Sequence, residues 1–398
     1  MAQFGDFTVD RNSTKYVLGS GGTIISYATD QPAFEFNADG SYKGLLVEPA
    51  ATNLFTYSED FRNTADAGET RPWVYDNTTI TADAETSPDG TVTADELEAT
   101  ASASVSYVSS VQTVSVATYT ISIFAKASSS SVFWLYVRSS AEQGTAYFDL
   151  SDGSTQAVAG SAETPYNLEI RDVGNGWFRC SATFDNTTSA STGSGFGVCD
   201  AKGSLSVTAG KSLYFWGAQV ETGPIATSYI PTTTASVTRV KDDITLGSAS
   251  SLIGQTEGTL YVEVDWRLAT GTTQFLLEAS DGTANNRLLI YNGSSPVHIN
   301  MYAKANNVTL TNQGESSTGY SGIQKIAFAY KTDDFELYRN GSSISSDTTG
   351  SLAALATLTD IDLGQTFGAI NQANMWIRAV ALYPKRLSDA ECEALTTL

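Results

Sequence analysis

The sequence predicts an all-β protein: two β-sandwich or jelly-roll domains in series behind an extended N-terminal segment, with one short C-terminal helix. Three observations carry this. The chain is rich in Ser, Thr, Gly, Tyr, Phe and Val and only 16% charged, a composition that suits half-buried pleated strands and short turns. Apolar and polar residues alternate in short runs separated by Gly, Ser, Asn and Asp clusters at near-regular spacing, the pattern of sandwiches and jelly rolls. At 398 residues the chain exceeds one hydrophobic core, given about 100–200 residues per domain.

Taken in order, residues 1–60 form the extended segment. Lys15-Tyr-Val-Leu, Thr23-Ile-Ile-Ser-Tyr, Phe34-Glu-Phe and Lys43-Gly-Leu-Leu-Val are joined by Gly19-Ser-Gly-Gly and Asp39-Gly40, which reads as hairpins. They hold too little apolar mass to fold alone, so the segment must lie against its own protein or another subunit. Residues 61–235 carry strand patterns at 105–116, 119–126, 132–137, 145–150, 177–184 and 212–220. Pro224 to Pro231 and the Thr run after it then interrupt the pattern, placing a linker at 236–250. Residues 251–398 resume it at 258–266, 274–278, 287–291, 297–302, 324–330, 334–338 and 375–383. Ser388 with Glu391 three positions on is the capping signature of a closing helix.

A net charge of −21 repels the phosphates of nucleic acid and anionic lipid, so neither is an expected partner. Cys180, Cys199 and Cys392 are too few and odd in number for a disulfide framework. Cys180 and Cys199 lie on neighbouring predicted strands and are read as small core residues, while Cys392, beside Glu391 and Glu393 with no cation near it in sequence, is not expected to be a reactive thiol. The start has neither the basic nor the apolar region of a signal peptide, and no run approaches the about 20 apolar residues of a membrane span. Exit from the cell is therefore expected by a route other than ordinary secretion, and the Asn-x-Ser/Thr triplets reflect composition.

Gly44-Leu-Leu-Val-Glu-Pro-Ala-Ala-Thr-Asn-Leu-Phe-Thr-Tyr-Ser-Glu-Asp-Phe61 resembles the linker that opens many tailed-bacteriophage structural proteins ahead of a carbohydrate-binding-like jelly roll. Gly174-Asn-Gly-Trp-Phe-Arg-Cys, Tyr214-Phe-Trp-Gly-Ala-Gln-Val-Glu and Thr227-Ser-Tyr-Ile-Pro-Thr resemble later strands of the same jelly roll. Leu337-Tyr-Arg-Asn-Gly341 and the stretch 377–391 resemble the Asn-Gly hairpin, closing strand and terminal helix of a concanavalin A or laminin-G-like sandwich. The resemblance implies a virion protein, a tail fibre, spike or head fibre, assembled in the host cytoplasm and released by lysis. It implies a homo-oligomer, usually a trimer, that docks on other virion proteins through residues 1–60 and turns its distal domains to host-surface glycans. The chain is short and without β-helical repeats or heptads, which favours a compact appendage. Deleting residues 1–60 is then expected to abolish incorporation into particles and leave both sandwiches folded.

Concanavalin-type folds also include glycoside hydrolases. Glu263-Val-Asp265 places two carboxyls on one strand face, but Trp266-Arg267-Leu268 stands where those hydrolases have a further Glu. His298 is the sole histidine, and no Gly-x-Ser-x-Gly elbow accompanies it. One His and three scattered Cys do not make a zinc site. The loop Asp281-Gly-Thr-Ala-Asn-Asn286 offers oxygen ligands from Asp281 and Asn285 that would suit calcium, and is equally ordinary turn chemistry. Sugar binding would use exposed aromatic platforms, with candidates at Trp73, Tyr75, Trp134, Tyr136, Tyr291, Tyr302 and Tyr320, whereas Trp177, Trp216 and Trp376 read as core. Tyr291 and Tyr320, at predicted loop positions, are the two chosen. The expected function is non-catalytic attachment to host glycans; the alternatives are a structural head decoration or adaptor, and a polysaccharide depolymerase.

Overall fold

The computed structural model describes residues 4–64, 68, 70–139, 142–160, 164–187, 190–267, 273–293, 298–315, 320–368 and 372–398. The described residues are predominantly β-strand, and a short α-helix, Asp389–Thr396, closes the chain. The helix starts at the Ser388–Glu391 capping box. Among the described residues no helix is long and apolar enough to cross a membrane.

The first sandwich is a jelly roll of two antiparallel sheets. One runs, in spatial order, Ser154–Val158, Glu142–Asp149, Val132–Ser139, Ala190–Val198, Ser104–Val114, Ser206–Val207. The facing sheet runs Tyr166–Gly174, Trp177–Asn186, Ala117–Ala127, Ser212–Thr222, Val92–Ala99, Thr78–Thr86. Period-two alternation sends Ile121, Ile123, Phe133, Leu135, Cys180, Ala182, Phe196 and Phe215 into the interior between them. Phe55, Phe61 and Trp73, from the chain leading into the domain, fill the same core.

The second sandwich is built from both ends of the chain. Its first sheet has the order Thr8–Asp10, Asp243–Leu246, Asp360–Leu363, Gln274–Ser280, Arg287–Asn292, Ile299–Ala305, Val308–Gly314. Its second has the order Ser342–Asp347, Asp334–Arg339, Gly322–Lys331, Glu257–Trp266, Met375–Tyr383, Tyr42–Val47, Phe34–Phe36. Of the two places expected for the N-terminal segment, its own protein or another subunit, the described residues 4–60 take the first: Val9 pairs with Ile244, Leu46 with Trp376, and Phe7, Val9, Leu45 and Val47 are core residues of the second sandwich. Strands too poor in apolar residues to fold alone gain their burial as edges of a sheet made by the other end of the chain.

Between the sandwiches lies the hairpin Lys15–Leu18 with Ile24–Tyr27. Leu18 and Ile24 pack on Phe124, Val173, Trp177, Trp216 and Tyr229, on the outside of the jelly roll, while Val17 packs with Ala33, Leu46 and Trp376 of the second sandwich. Trp177, Trp216 and Trp376 are buried as expected, but in this junction and not inside either sandwich. The expected linker, 236–250, is likewise built in: Val237–Arg239 pairs with Ala51–Asn53, and Asp243–Leu246 joins the first sheet.

The junction also holds buried charges. Lys15 Nζ lies 2.7 Å from Asp242 Oδ2 and 3.1 Å from Glu48 Oε2, and it donates to Leu46 O at 2.7 Å. Arg11 pairs with Asp242 at 2.9 Å and Arg239 with Glu48 at 3.5 Å. None of the five side chains is more than 1% exposed. Burial opposes ionisation of Glu48, yet Lys15 and Arg239 hold its carboxyl far below the usual range. Opposed charges at these distances, away from solvent, lock Arg11, Lys15 and Glu48 to Arg239 and Asp242 in the stretch that joins the two sandwiches.

Candidate functional site

The stretches that resemble tailed-bacteriophage structural proteins converge on this junction, whereas 337–341 and 377–391 lie in the second sandwich. Ser228 N donates to Glu48 Oε1 at 2.7 Å, and Asn53 Nδ2 donates to Ala218 O and Ile230 O at 3.0 and 2.9 Å. Ile230 N donates to Gln219 Oε1, Tyr229 and Ser58 share a hydroxyl contact at 2.7 Å, and Asn175 Nδ2 donates to Gly22 O. Each partner sits in one of the quoted stretches or in the wedge hairpin. Their shared task is assembly: all but the exposed Asn175 contact satisfy buried polar groups where three parts of the chain meet.

Tyr320 is not on an exposed loop. It is 4% exposed, packs on Trp266 with ring centroids 6.1 Å apart, and lies under the Arg339 guanidinium at 4.6 Å. Alternation before Gly322–Lys331 turns it inward, so it serves the core. Asp281 closes its own turn by accepting from Thr283 N and Oγ1 at 3.0 and 2.6 Å and from Asn286 Nδ2 at 2.8 Å. Asn285 is exposed, and among the described residues no group of three or more His, Cys, Asp or Glu could hold a metal ion. Glu263 and Asp265 do share a strand face, but Arg378 Nε holds Glu263 at 2.8 Å and Lys43 lies 3.3 Å from Asp265. Cys180, Cys199 and Cys392 are free and buried in three separate clusters. Trp73, Trp134 and Tyr136 are buried, Trp73 in the jelly-roll core and the other two in a cluster on the outside of its first sheet. Tyr75 is half-buried and packs against the jelly-roll core, its hydroxyl accepting from Asn63 N.

Tyr291 is placed differently. It belongs to the strand Arg287–Asn292, not to a loop, and stands on the outer face of the first sheet because its neighbours Leu288 and Ile290 fill the core. Its ring stacks on Phe275 across the ladder, centroids 5.6 Å apart and 26° between planes. Its hydroxyl donates to Asn312 Oδ1 at 2.7 Å. On the same face the Arg287 guanidinium lies 5.3 Å over the Tyr302 ring, and the Tyr302 hydroxyl contacts Thr309 Oγ1 at 3.2 Å. Tyr291 and Tyr302 are half-buried and Asn312 and Gln313 exposed, so aromatic faces and amides reach solvent from rigid strands.

This face grades into a carboxylate pair that the sequence reading missed. Glu278 and Asp362 are cross-strand partners, both buried. Glu278 takes Phe367 N at 2.6 Å and Arg287 Nη1 at 3.4 Å. Burial raises its pKa, and burial with the nearby Glu278 and Asp243 carboxylates pushes Asp362 up to about 7. The signal was present as acidic residues at outward positions of two apolar strands.

No protein-family model matches the sequence, and no curated protein matches it. Solved structures match over a little more than a third of the chain. They include the CBM40 module of a Ruminococcus gnavus IT-sialidase (17% identity, 37% of this chain and 86% of that chain, TM-score 0.33). A structure of botulinum neurotoxin type C concerned with its interaction with two ganglioside molecules aligns at 13% identity over 39% of each chain, TM-score 0.33. A SAP-like pentraxin of Limulus polyphemus aligns at 11% identity over 35% of this chain and 70% of that chain, TM-score 0.30.

Proposed function

We propose that the protein is a non-catalytic virion surface component of fibre or spike type that attaches to host-surface glycans through the outer face of its second sandwich. The virion setting rests on the resemblance of residues 44–61 and the later stretches to tailed-bacteriophage proteins. The glycan reading rests on one observation: Tyr291 is a half-exposed ring held in a fixed orientation by Phe275 and Asn312. A ring that loses little freedom on binding, bordered by amides, suits the apolar face and hydroxyl rim of a sugar. Single sites of this kind are weak, and repetition over an oligomer and a particle supplies avidity. The ion pairs that occupy Glu263 and Asp265 speak against catalysis there.

The test is adsorption of labelled full-length protein to host bacteria before and after stripping of surface polysaccharide, with Tyr291→Ala alongside. Binding that disappears on stripping and weakens about tenfold in the variant, ~1.4 kcal/mol per site, supports the reading. Absence of binding by a stable oligomer overturns it in favour of a head decoration or adaptor, and release of reducing ends overturns it in favour of a depolymerase.

A further inference from the structure

A cleft of about 270 Å³ opens between the two sandwiches, lined by Thr120, Asn167, Glu169, Ser181 and Thr183 of the jelly roll, the 224–226 loop, and Arg267 of the second sandwich. Trp177, Arg179, Ser181 and Thr183 follow one another on the outer side of their strand, since Cys180, Ala182 and Phe184 fill the interior. Trp177 is covered by the wedge hairpin; Ser181 and Thr183 form cleft wall. Arg179 lies at the base, in a smaller hollow of about 10 Å³ that shares Glu169, Ser181, Ala226 and Arg267 with the cleft and adds Arg171 and Arg179. That hollow holds roughly one water.

Arg179 is unusual among the buried cations. Arg171 is paired with Glu35 at 2.8 Å and Arg267 with Glu169 at 3.3 Å, the latter also donating to Ala226 O at 2.6 Å. Arg179 is 6% exposed, and among the described residues no carboxylate lies within ion-pair distance of it. Its guanidinium lies 5.4 Å from the Phe124 ring centroid, Nη2 donates to Ser122 Oγ at 3.1 Å, and buried Nε has no partner. Burial, with Arg171 next, lowers its pKa to about 10, whereas Glu169 is held below its usual range, against burial, by Arg267 and Arg171. The other carboxylates that act on Arg179 are already engaged: Glu221 by Thr227 N, Thr227 Oγ1 and Gln219 Nε2, and Glu48 by Lys15, Arg239 and Ser228 N. A guanidinium presents five donors in a fork that fits a planar or tetrahedral oxyanion, and leaving such a charge buried without a counter-charge is costly.

We infer that this cleft binds an acidic saccharide, its carboxylate or sulfate at the cleft's base turned toward Arg179 and its ring lying between Ser181, Thr183 and the 224–226 loop. The anion site stands on the junction geometry; that the anion belongs to a sugar rests on the attachment reading. A repulsive overall charge of −21 would then be offset locally, selecting anionic ligands only where they reach this one point.

Isothermal titration of the full chain with trigalacturonate, glucose 6-sulfate and neutral maltotriose tests this, with the first two separating carboxylate from sulfate. Saturable binding of an acidic probe, none of maltotriose, and at least tenfold weakening in Arg179→Gln are expected. Should Arg179→Gln not fold, Ile225→Trp, a change at a part-exposed residue of the cleft wall, blocks the opening and gives the same loss. Tyr291→Ala leaves the titration unchanged, which separates this cleft from the aromatic face. Equal binding of maltotriose, no binding of either acidic probe, or unaltered affinity in the folded Arg179 and Ile225 variants overturns the inference.

Discussion

Replacing Lys15 by methionine removes one ammonium and leaves the shape of the junction nearly intact. In the native protein that ammonium makes three contacts of 2.7–3.1 Å with Asp242, Glu48 and Leu46 O, all inaccessible to water. After the change Asp242 keeps Arg11 and Glu48 keeps the longer Arg239 contact, so two carboxylates share two guanidiniums and lose the closest positive charge. Removing one partner of a buried pair costs about 3–5 kcal/mol. With a urea m-value of about 3 kcal/mol/M, the unfolding midpoint falls by about 1–1.7 M. Lys385→Met is the matched control. Its pair with Glu391 spans 3.4 Å at 59% and 51% exposure, and such surface pairs contribute under about 1 kcal/mol. Tryptophan fluorescence reports the transition, since Trp376 and Trp216 flank the junction. A midpoint shift in Lys15→Met no larger than in Lys385→Met refutes the claim that these charges bind the N-terminal segment to the stretch joining the two sandwiches.

A fragment of residues 245–398 lacks the edge strands Thr8–Asp10, Phe34–Phe36 and Tyr42–Val47; it is expected to bind a hydrophobic dye and to unfold without a cooperative transition, as judged by circular dichroism. By the same reasoning, deletion of residues 1–60 unfolds the second sandwich instead of leaving both domains whole. Asp362, raised to about 7 from a carboxylate's usual value of about 3.9, takes up its proton more readily when folded. Its stabilising contribution is therefore complete below about pH 4 and lost as pH rises through 7, so Asp362→Asn is expected to flatten the fall in urea midpoint between pH 5 and 8 seen in the unaltered protein. Gly44 has φ 152° and its absent Cβ would come within 2.7 Å of Trp376 Cβ, so Gly44→Ala is expected to lower the thermal midpoint by several degrees, whereas Gly153→Ala, with nothing near its Cβ, loses only the small cost of its own positive φ.

Strands with strong alternation were legible, as at residues 119–126, 177–184 and 212–220, which are adjacent in one sheet, whereas the Ser-, Thr- and Gly-rich or acidic strands Thr78–Thr86, Val92–Ala99 and Ala190–Val198 were not. The edge strands were not legible as such, because their partners lie more than 200 positions away and period two names no partner. Nothing in the sequence singled out Lys15, Glu48, Arg239 and Asp242, since such residues usually sit in solvent; only three-dimensional opposition makes them interior. Of the two aromatic candidates, Tyr291 kept its solvent-facing role and Tyr320 did not, since a glycine-flanked tyrosine looks the same beside a loop as at the end of a core strand. Arg179 left a trace that was passed over: a charged residue between Phe178 and Cys180, in an otherwise apolar strand, needs a partner.

The pairing of Leu46 with Trp376 sets a problem of timing during synthesis. At about 5–20 residues per second, the roughly 330 positions between them take about 15–70 s to emerge, and for that interval Tyr42–Val47 is a sheet edge with no sheet. The jelly roll is complete long before, and its outer tryptophans receive Leu18 and Ile24 of the wedge hairpin without help from the C-terminal residues. The early-made domain thereby serves as a holding surface for the first strands of the late one, sheltering an aggregation-prone edge until the end of the message is read.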